Sequence, residues 1–141
     1  MSLFTTDRVL VPIDFSEEAI AALSKTLESI DDPGQIYALH VLPRLEATDP
    51  SVVWETISDE SREQNVEKAF KERFGEDFSS VKFEVKFGDP SSEIIDFAKQ
   101  NEITLIVIPS HGRTGLGRFF LGSVAERVVR FAHCPVLVLR R

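Results

Sequence analysis

The chain alternates short apolar runs with longer stretches in which apolar residues recur every three or four positions. Residues 8–13, 35–42 and 104–108 are apolar runs of strand length, and the segments between them include stretches with the periodicity of amphipathic helices. This alternation is typical of βαβ units, whose parallel strands are covered by helices on both faces. The pattern therefore predicts one α/β domain over residues 1–141, with a Rossmann-like, doubly wound parallel sheet of about five strands and four helices.

Apolar stripes and end signals place the helices. Asp14 and Ser16 are possible caps before the first helix, and Pro33-Gly34 ends it. Asp89 followed by Pro90 predicts the cap and first position of the third helix. The last helix has a wide apolar stripe, which we expect to be its buried face; it consists of Leu121, Val124, Ala125, Val128, Val129 and Ala132.

Two strands have the features of sheet edges. Residues 81–87 alternate apolar with charged side chains, which predicts a strand with one wet face near an edge. The apolar run Val136 to Leu139 closes the chain and is expected at an edge open to pairing with a second copy. Residues 44–58 show weak periodicity, which predicts a mobile loop leading into the second helix.

Charge and cysteine content narrow the function classes. The chain has 16 basic and 23 acidic residues and a net charge of -7, which disfavours nucleic acid as a partner. A local anion site stays possible, because arginines gather late in the chain. Cys134 is the only cysteine, so no intrachain disulfide can form. With no apolar run of membrane-spanning length and no secretory signal pattern, we expect a cytoplasmic protein without membrane insertion.

The segment 109–123 lies between a buried strand and a helix and contains several glycines. Ligands of open parallel sheets bind beyond the carboxyl ends of the strands, and glycine lets backbone amides approach phosphate oxygens closely. Gly122 and Ser123 are placed at the helix start, where unpaired amides favour an anion. The glycines are equally compatible with a plain loop and a close helix contact.

This segment resembles the signature of the universal stress protein family. Nucleotide-binding members carry Gly, two residues, Gly, nine residues, then Gly followed by Ser or Thr; here Gly112, nine residues and Gly122-Ser123 match. Further resemblances follow the family's order along the whole chain, at residues 11–16, 39–41, 88–90 and 134–138. The resemblance implies an ATP-binding protein of stress response or regulation, dimeric through Val136 to Leu139.

The resemblance also implies which residues contact the nucleotide. Ile13, Asp14 and Val41 are expected around the adenine and ribose, with Ile108 beside them. The phosphates, carrying any Mg²⁺, are expected to meet backbone amides at Gly112, Gly122, Ser123 and Val124. The candidate site is completed by Pro12, Pro109 and Arg113, although Arg113 is also compatible with a solvated arginine.

Pro109 is the one departure from the signature, because it replaces the first glycine. Proline has no N–H, a fixed φ and a ring, which predicts weaker contacts on the ribose side. Bonds to charged phosphates, at roughly 1.5–3 kcal/mol each, outweigh the neutral bond of about 1 kcal/mol that is lost at Pro109, so we expect weaker nucleotide binding and not its abolition.

Two alternatives to an ATP-dependent dimeric switch stay open: a nucleotide-free dimeric interaction module and a slow nucleotide hydrolase.

Single polar residues support more than one interpretation. Asp14 is compatible with a ribose contact and with a helix cap. His111 suits a loop-stabilising role, since no nucleophilic triad can be assembled around it, and His40 suits packing or support of the site. His133 beside Cys134 lacks further zinc ligands. We therefore expect no metal site. No P-loop lysine motif is present, so we do not expect efficient ATP hydrolysis.

Overall fold

The computed structural model describes residues 5–44, 59–75, 80–110 and 121–140. Its strands are β1 (Val9–Pro12), β2 (Ile36–Leu42), β3 (Lys82–Phe87), β4 (Leu105–Pro109) and β5 (Val136–Leu139). Its helices are α1 (Glu17–Ser29), α2 (Asp59–Phe74), α3 (Pro90–Gln100) and α4 (Ser123–Phe131), with a 3₁₀ turn at Pro33–Gln35.

All strand pairings are parallel, and the strand order is β3-β2-β1-β4-β5. The chain therefore moves outward from β1 to β3 and returns to the other side of β1 for β4 and β5. The predicted doubly wound sheet is confirmed, with its topological switch point between β1 and β4.

Burial along the strands follows their place in the sheet. Every residue of the inner strand β4 is buried, as expected for a strand covered on both faces. The edge strand β3 alternates instead, and its Phe83 ring stacks on Phe70 of α2 with centroids 4.2 Å apart. The last strand, β5, occupies the opposite edge. Both predicted edge strands are thus confirmed.

The core has two layers, one on each face of the sheet. Val9, Val11 and Val107 belong to the layer that packs against α1 and α2. Leu10 and Ile108 belong to the layer that packs against α3 and α4. Neighbouring residues of one strand enter opposite layers because side chains of a strand alternate between the two faces.

Side-chain caps begin two of the helices. The Ser16 hydroxyl accepts a hydrogen bond from the Ala19 amide at 3.1 Å at the start of α1. The Asp89 carboxylate accepts one from the Ser92 amide at 3.1 Å at the start of α3. Ser16 is therefore the cap of α1. Asp14, the other cap proposed there, accepts instead from the Ser16 amide at 3.0 Å.

One residue of the predicted apolar stripe of α4 lies at the surface. Val129 was expected on the buried face of α4 but is 46% exposed, because it lies one residue beyond the buried Val128 and is turned about 100° around the helix. The predicted mobile loop falls largely on residues 45–58, outside the described residues. Among the residues that the structure describes, no helix combines the length and apolar character needed to cross a bilayer.

Candidate functional site

The sheet opens at its carboxyl edge between β1 and β4. Strand β1 pairs with β2 up to Pro12 opposite Leu39, and β4 pairs with β5 up to Pro109 opposite Leu139. The pairing of β1 with β4, in contrast, consists of Val9 with Leu105 and Leu10 with Ile106. The carboxyl halves of these two central strands therefore separate, which is the geometry of a ligand crevice at a switch point.

One wall of the crevice is built where β1 ends beside β2. The Ile13 amide donates to the Leu39 carbonyl at 2.7 Å, and Ile13 is 2% exposed. Asp14 follows, half-buried, and its Oδ1 accepts from the Ser16 amide at 3.0 Å. Val41 lies half-buried farther along β2. The structure thus brings Pro12, Ile13, Asp14 and Val41 to adjoining strand ends, and their contact with an adenine and ribose stays a prediction.

His40 supports this wall in a way that sequence reasoning did not specify. Its Nδ1 lies 2.5 Å from the Ile13 carbonyl oxygen, and since a carbonyl only accepts, Nδ1 carries the hydrogen. The ring also meets Phe15 edge-on, with centroids 5.0 Å apart. The sequence feature that pointed to this role was a polar ring within an apolar strand, next to the predicted site residue Val41.

The opposite wall consists of the end of β4, where Ile108 is 4% exposed and Pro109 is buried. Backbone amides of a strand face its two neighbours alternately. Ile106 and Ser110 donate to β5 and its approach, at 3.0 and 2.8 Å, whereas Leu105 donates towards β1, to Arg8, at 3.3 Å. By this alternation the amide position of residue 109 faces the crevice. Pro109 therefore removes a donor from the crevice wall.

The start of α4 is tied to the end of β4. The Gly122 amide donates to the Ser110 carbonyl at 2.7 Å, and the Gly122 carbonyl accepts from Glu126 at 2.8 Å. This corrects one expectation, because an amide already bonded to Ser110 is not the phosphate donor predicted at Gly122. With its φ of -60°, Gly122 has a backbone conformation open to any residue. The sequence did not predict that buried Ser110 makes this connection. The one sequence feature that pointed to Ser110 was its position directly after a buried strand.

Ser123 and Val124 are the first residues of α4, and Ser123 is exposed. Their amides head the helix, where amides have no partner within the helix and the helix dipole favours an anion. These two residues were predicted to meet the phosphates, and their contact with an anion stays a prediction. Gly112 and Arg113, like His111, lie outside the described residues, so their roles stay predictions.

A second polar cluster lies at the starts of α3 and α4. The Asp89 carboxylate accepts from the Ser91 and Ser92 hydroxyls, both at 2.9 Å, and lies 3.3 Å from the Arg127 guanidinium. The Ser92 amide above all, then these hydroxyls and the Arg127 charge, hold the pKa of Asp89 below its ordinary value. Arg127 therefore links α4 to the cap of α3.

Metal and thiol chemistry receive little support from the described residues. Within residues 5–44, 59–75, 80–110 and 121–140, no three His, Cys, Asp or Glu side chains are grouped as metal ligands. Burial raises the pKa of the Cys134 thiol, which favours the protonated, less reactive form.

Comparison with known proteins agrees with this architecture. Residues 5–140 match the universal stress protein family. Universal stress protein MJ0531 of Methanocaldococcus jannaschii is 33% identical over 95% of this chain and 82% of its own length. The solved structure of MJ0577 from the same archaeon superposes with a TM-score of 0.76 at 28% identity, covering 97% of this chain and 98% of that one. UspA from Lactobacillus plantarum gives 0.73 at 27% identity, covering 96% and 98%. The chain belongs to the universal stress protein family.

Proposed function

We propose that this protein binds an adenine nucleotide, ATP or a close relative, in the crevice between β1 and β4. The observation that carries the proposal is the early end of the β1–β4 pairing at Leu10 and Ile106. It opens the sheet directly beside Asp14 on one wall and the start of α4 on the other. The base and ribose are assigned to the ends of β1 and β2, and the phosphates to the amides of Ser123 and Val124.

The charge of the ligand fits the start of α4. This helix has nine residues, and its leading amides and dipole favour an anionic group. Hydrogen bonds to a charged phosphate are worth roughly 1.5–3 kcal/mol each. The phosphates therefore dominate the affinity, and any Mg²⁺ is carried on them.

Adenine nucleotides occur in this family. A universal stress protein from Arabidopsis thaliana, solved with AMP bound, shares the fold at 23% identity with a TM-score of 0.63. At 23% identity this similarity supports the fold alone. The choice of an adenine nucleotide therefore rests on the resemblance at Gly112 and Gly122-Ser123 and on the geometry of the crevice.

We assign the chain a role in binding and regulation, and not in efficient hydrolysis. The sequence contains no GxxxxGK[ST] motif, whose lysine supports phosphoryl transfer in P-loop proteins. Slow turnover of a bound nucleotide is compatible with the site. An efficient turnover rate, measured by phosphate release, would overturn this assignment.

We further propose that the protein works as a cytoplasmic homodimer that responds to the nucleotide and to a protein partner. Strand β5 is an edge strand, and Leu137 on it is 45% exposed. An apolar edge strand is open to pairing with another strand. Pairing with a second copy would extend the sheet beyond β5 and place a neighbouring strand beside Leu137.

Substitution of Ser123 tests nucleotide binding at α4. Ser123 is exposed, so Ser123→Glu should leave the fold intact while placing a carboxylate against the phosphates. We expect calorimetry to detect no ATP binding to Ser123→Glu. Ser123→Ala keeps the backbone amide and should lose about tenfold in ATP affinity, the value of one hydroxyl bond to a charged phosphate. Gly122→Val should also abolish binding, by adding a branched side chain beside the phosphates. ATP affinity unchanged by Ser123→Glu would remove the site from α4.

A nucleotide-free interaction module is the second candidate, favoured by Pro109. Its missing amide faces the crevice, so the wall lacks a donor there. Mass spectrometry of ligand released by denaturing the purified protein separates the candidates. A retained adenine nucleotide supports the first, and a protein that neither retains nor binds one supports the second.

A further inference from the structure

We propose that His40 is a positioning residue for the nucleotide, because it holds the turn after β1 in the conformation that presents Asp14 to the ribose. This deepens, and rests on, the proposed nucleotide-binding function. His40 lies on the neighbouring strand β2, one residue before Val41. It contacts the residues on both sides of Asp14.

The first contact fixes the peptide that precedes Asp14. The Ile13 amide donates to the Leu39 carbonyl at 2.7 Å, and the Ile13 carbonyl accepts from His40 Nδ1 at 2.5 Å. Strand β2 thus engages both polar groups of Ile13, one through its backbone and one through a side chain. Ile13 is only 2% exposed, so water is a poor substitute for the imidazole donor.

The second contact fixes the residue that follows Asp14. Phe15 has a φ of 61°, a left-handed conformation that is unfavourable for a residue with a Cβ. Such a conformation persists only where its surroundings hold it. The Phe15 ring packs edge-on against His40 at 5.0 Å between centroids and joins the core under α1. His40 therefore contacts the residues on either side of Asp14.

The direction of the Asp14 carboxylate follows from these constraints. Its Oδ1 accepts from the Ser16 amide at 3.0 Å, which orients the side chain within the turn. A carboxylate accepts about four hydrogen bonds, so this bond is compatible with a ribose hydroxyl as a further donor. If the peptide before Asp14 or the ring after it moved, the carboxylate would move with them.

Two amide substitutions separate positioning from general packing. The side-chain amide of His40→Asn places an N–H near the position of Nδ1 and can still donate to Ile13. His40→Gln is equally polar but carries its amide near the position of Nε2, beyond the Ile13 carbonyl. His40→Phe is a third variant that keeps a ring against Phe15 and has no donor.

The test measures ATP and 2′,3′-dideoxy-ATP affinities by calorimetry for the parent and all three variants. We expect the parent to prefer ATP by about tenfold, the value of a hydrogen bond from ribose to a charged acceptor. His40→Asn should keep this preference, whereas His40→Gln and His40→Phe should reduce it to about twofold or less. Loss of stability alone would lower both affinities without changing their ratio.

The outcomes distinguish this inference from the proposed function. A parent that binds ATP with the same preference as His40→Gln overturns the positioning role only. Equal preferences in His40→Asn and His40→Gln do the same, even if His40→Phe fails to fold. A parent that binds neither nucleotide overturns the proposed function and this inference with it.

Discussion

Replacement of Pro109 by glycine is the sharpest test of the crevice. The amides of Ile106 and Ser110 donate towards β5, at 3.0 and 2.8 Å, so an amide at residue 109 would face β1 and the crevice. Pro109→Gly restores that N–H and removes the buried ring. The change also returns the family's glycine to the first position of the signature.

The expected gain in affinity follows from one hydrogen bond. A regained neutral bond is worth about 1 kcal/mol, so ATP affinity should rise about three- to tenfold. Removal of the ring adds to this gain if the ring contacts the sugar. The direction is the same for both effects, which makes a decrease in affinity a clear contradiction.

The same substitution should cost stability. Glycine enlarges the unfolded ensemble relative to proline by about 0.4–1 kcal/mol. Pro109 is also buried, and each buried carbon that is lost costs about 0.8 kcal/mol. The loss of three ring carbons and the larger unfolded ensemble together predict a decrease of roughly 3 kcal/mol in the free energy of unfolding, measured with urea.

Pro109→Ala is the matched control, because it restores the N–H and keeps a Cβ. If the amide matters, calorimetry on nucleotide-free protein should show higher ATP affinity for both variants than for the parent. Alanine also lacks the ring, so a gain in the glycine variant alone would assign the effect to the absence of a Cβ and not to the amide. If the parent already binds ATP tightly and neither variant gains, the crevice never used that amide and the ribose-side assignment is wrong.

Two further predictions concern assembly and pH. Leu137→Lys should shift the protein from dimer to monomer in light scattering, because Leu137 is 45% exposed on the edge strand and a charge there opposes strand pairing without disturbing the core. Val138→Lys should also give a monomer but destabilise the fold, since Val138 packs against the core. A parent that is already monomeric would refute the dimer. The lowered pKa of Asp89 contributes stability that is present above its unfolded pKa of about 3.9 and lost as the pH falls through the lower folded value. Asp89→Asn, which still caps α3, should flatten the pH dependence of urea unfolding in this acid range, and Asp89→Ala should cost about 1 kcal/mol at pH 7; identical profiles for the parent and Asp89→Asn would contradict the role of the charge.

The amino-acid sequence by itself determined the strands, the helices and the class of fold. Apolar runs of strand length and stripes of helical period reflect which faces are buried, and burial is the main favourable contribution to folding. Helix caps that depend on neighbouring residues were also predictable: Asp89 before Pro90 predicted a cap that the structure contains. The glycine signature around Gly122 carried the family, since it is a pattern of neighbouring residues.

Features that depend on residues distant in the sequence required the tertiary structure. The β1–β4 pairing connects residues about 96 positions apart in the sequence, and no local pattern specifies where these two strands separate. The same holds for the bond from His40 to Ile13 and for the Ser110 carbonyl that occupies the Gly122 amide. Val129 belongs to the apolar stripe of α4 by its spacing, yet it is 46% exposed while Val128 beside it is buried. The packing of α4 on the sheet decides which part of the stripe is covered. Sequence determines which groups can bond or be buried, and the packing of distant segments decides which of them meet.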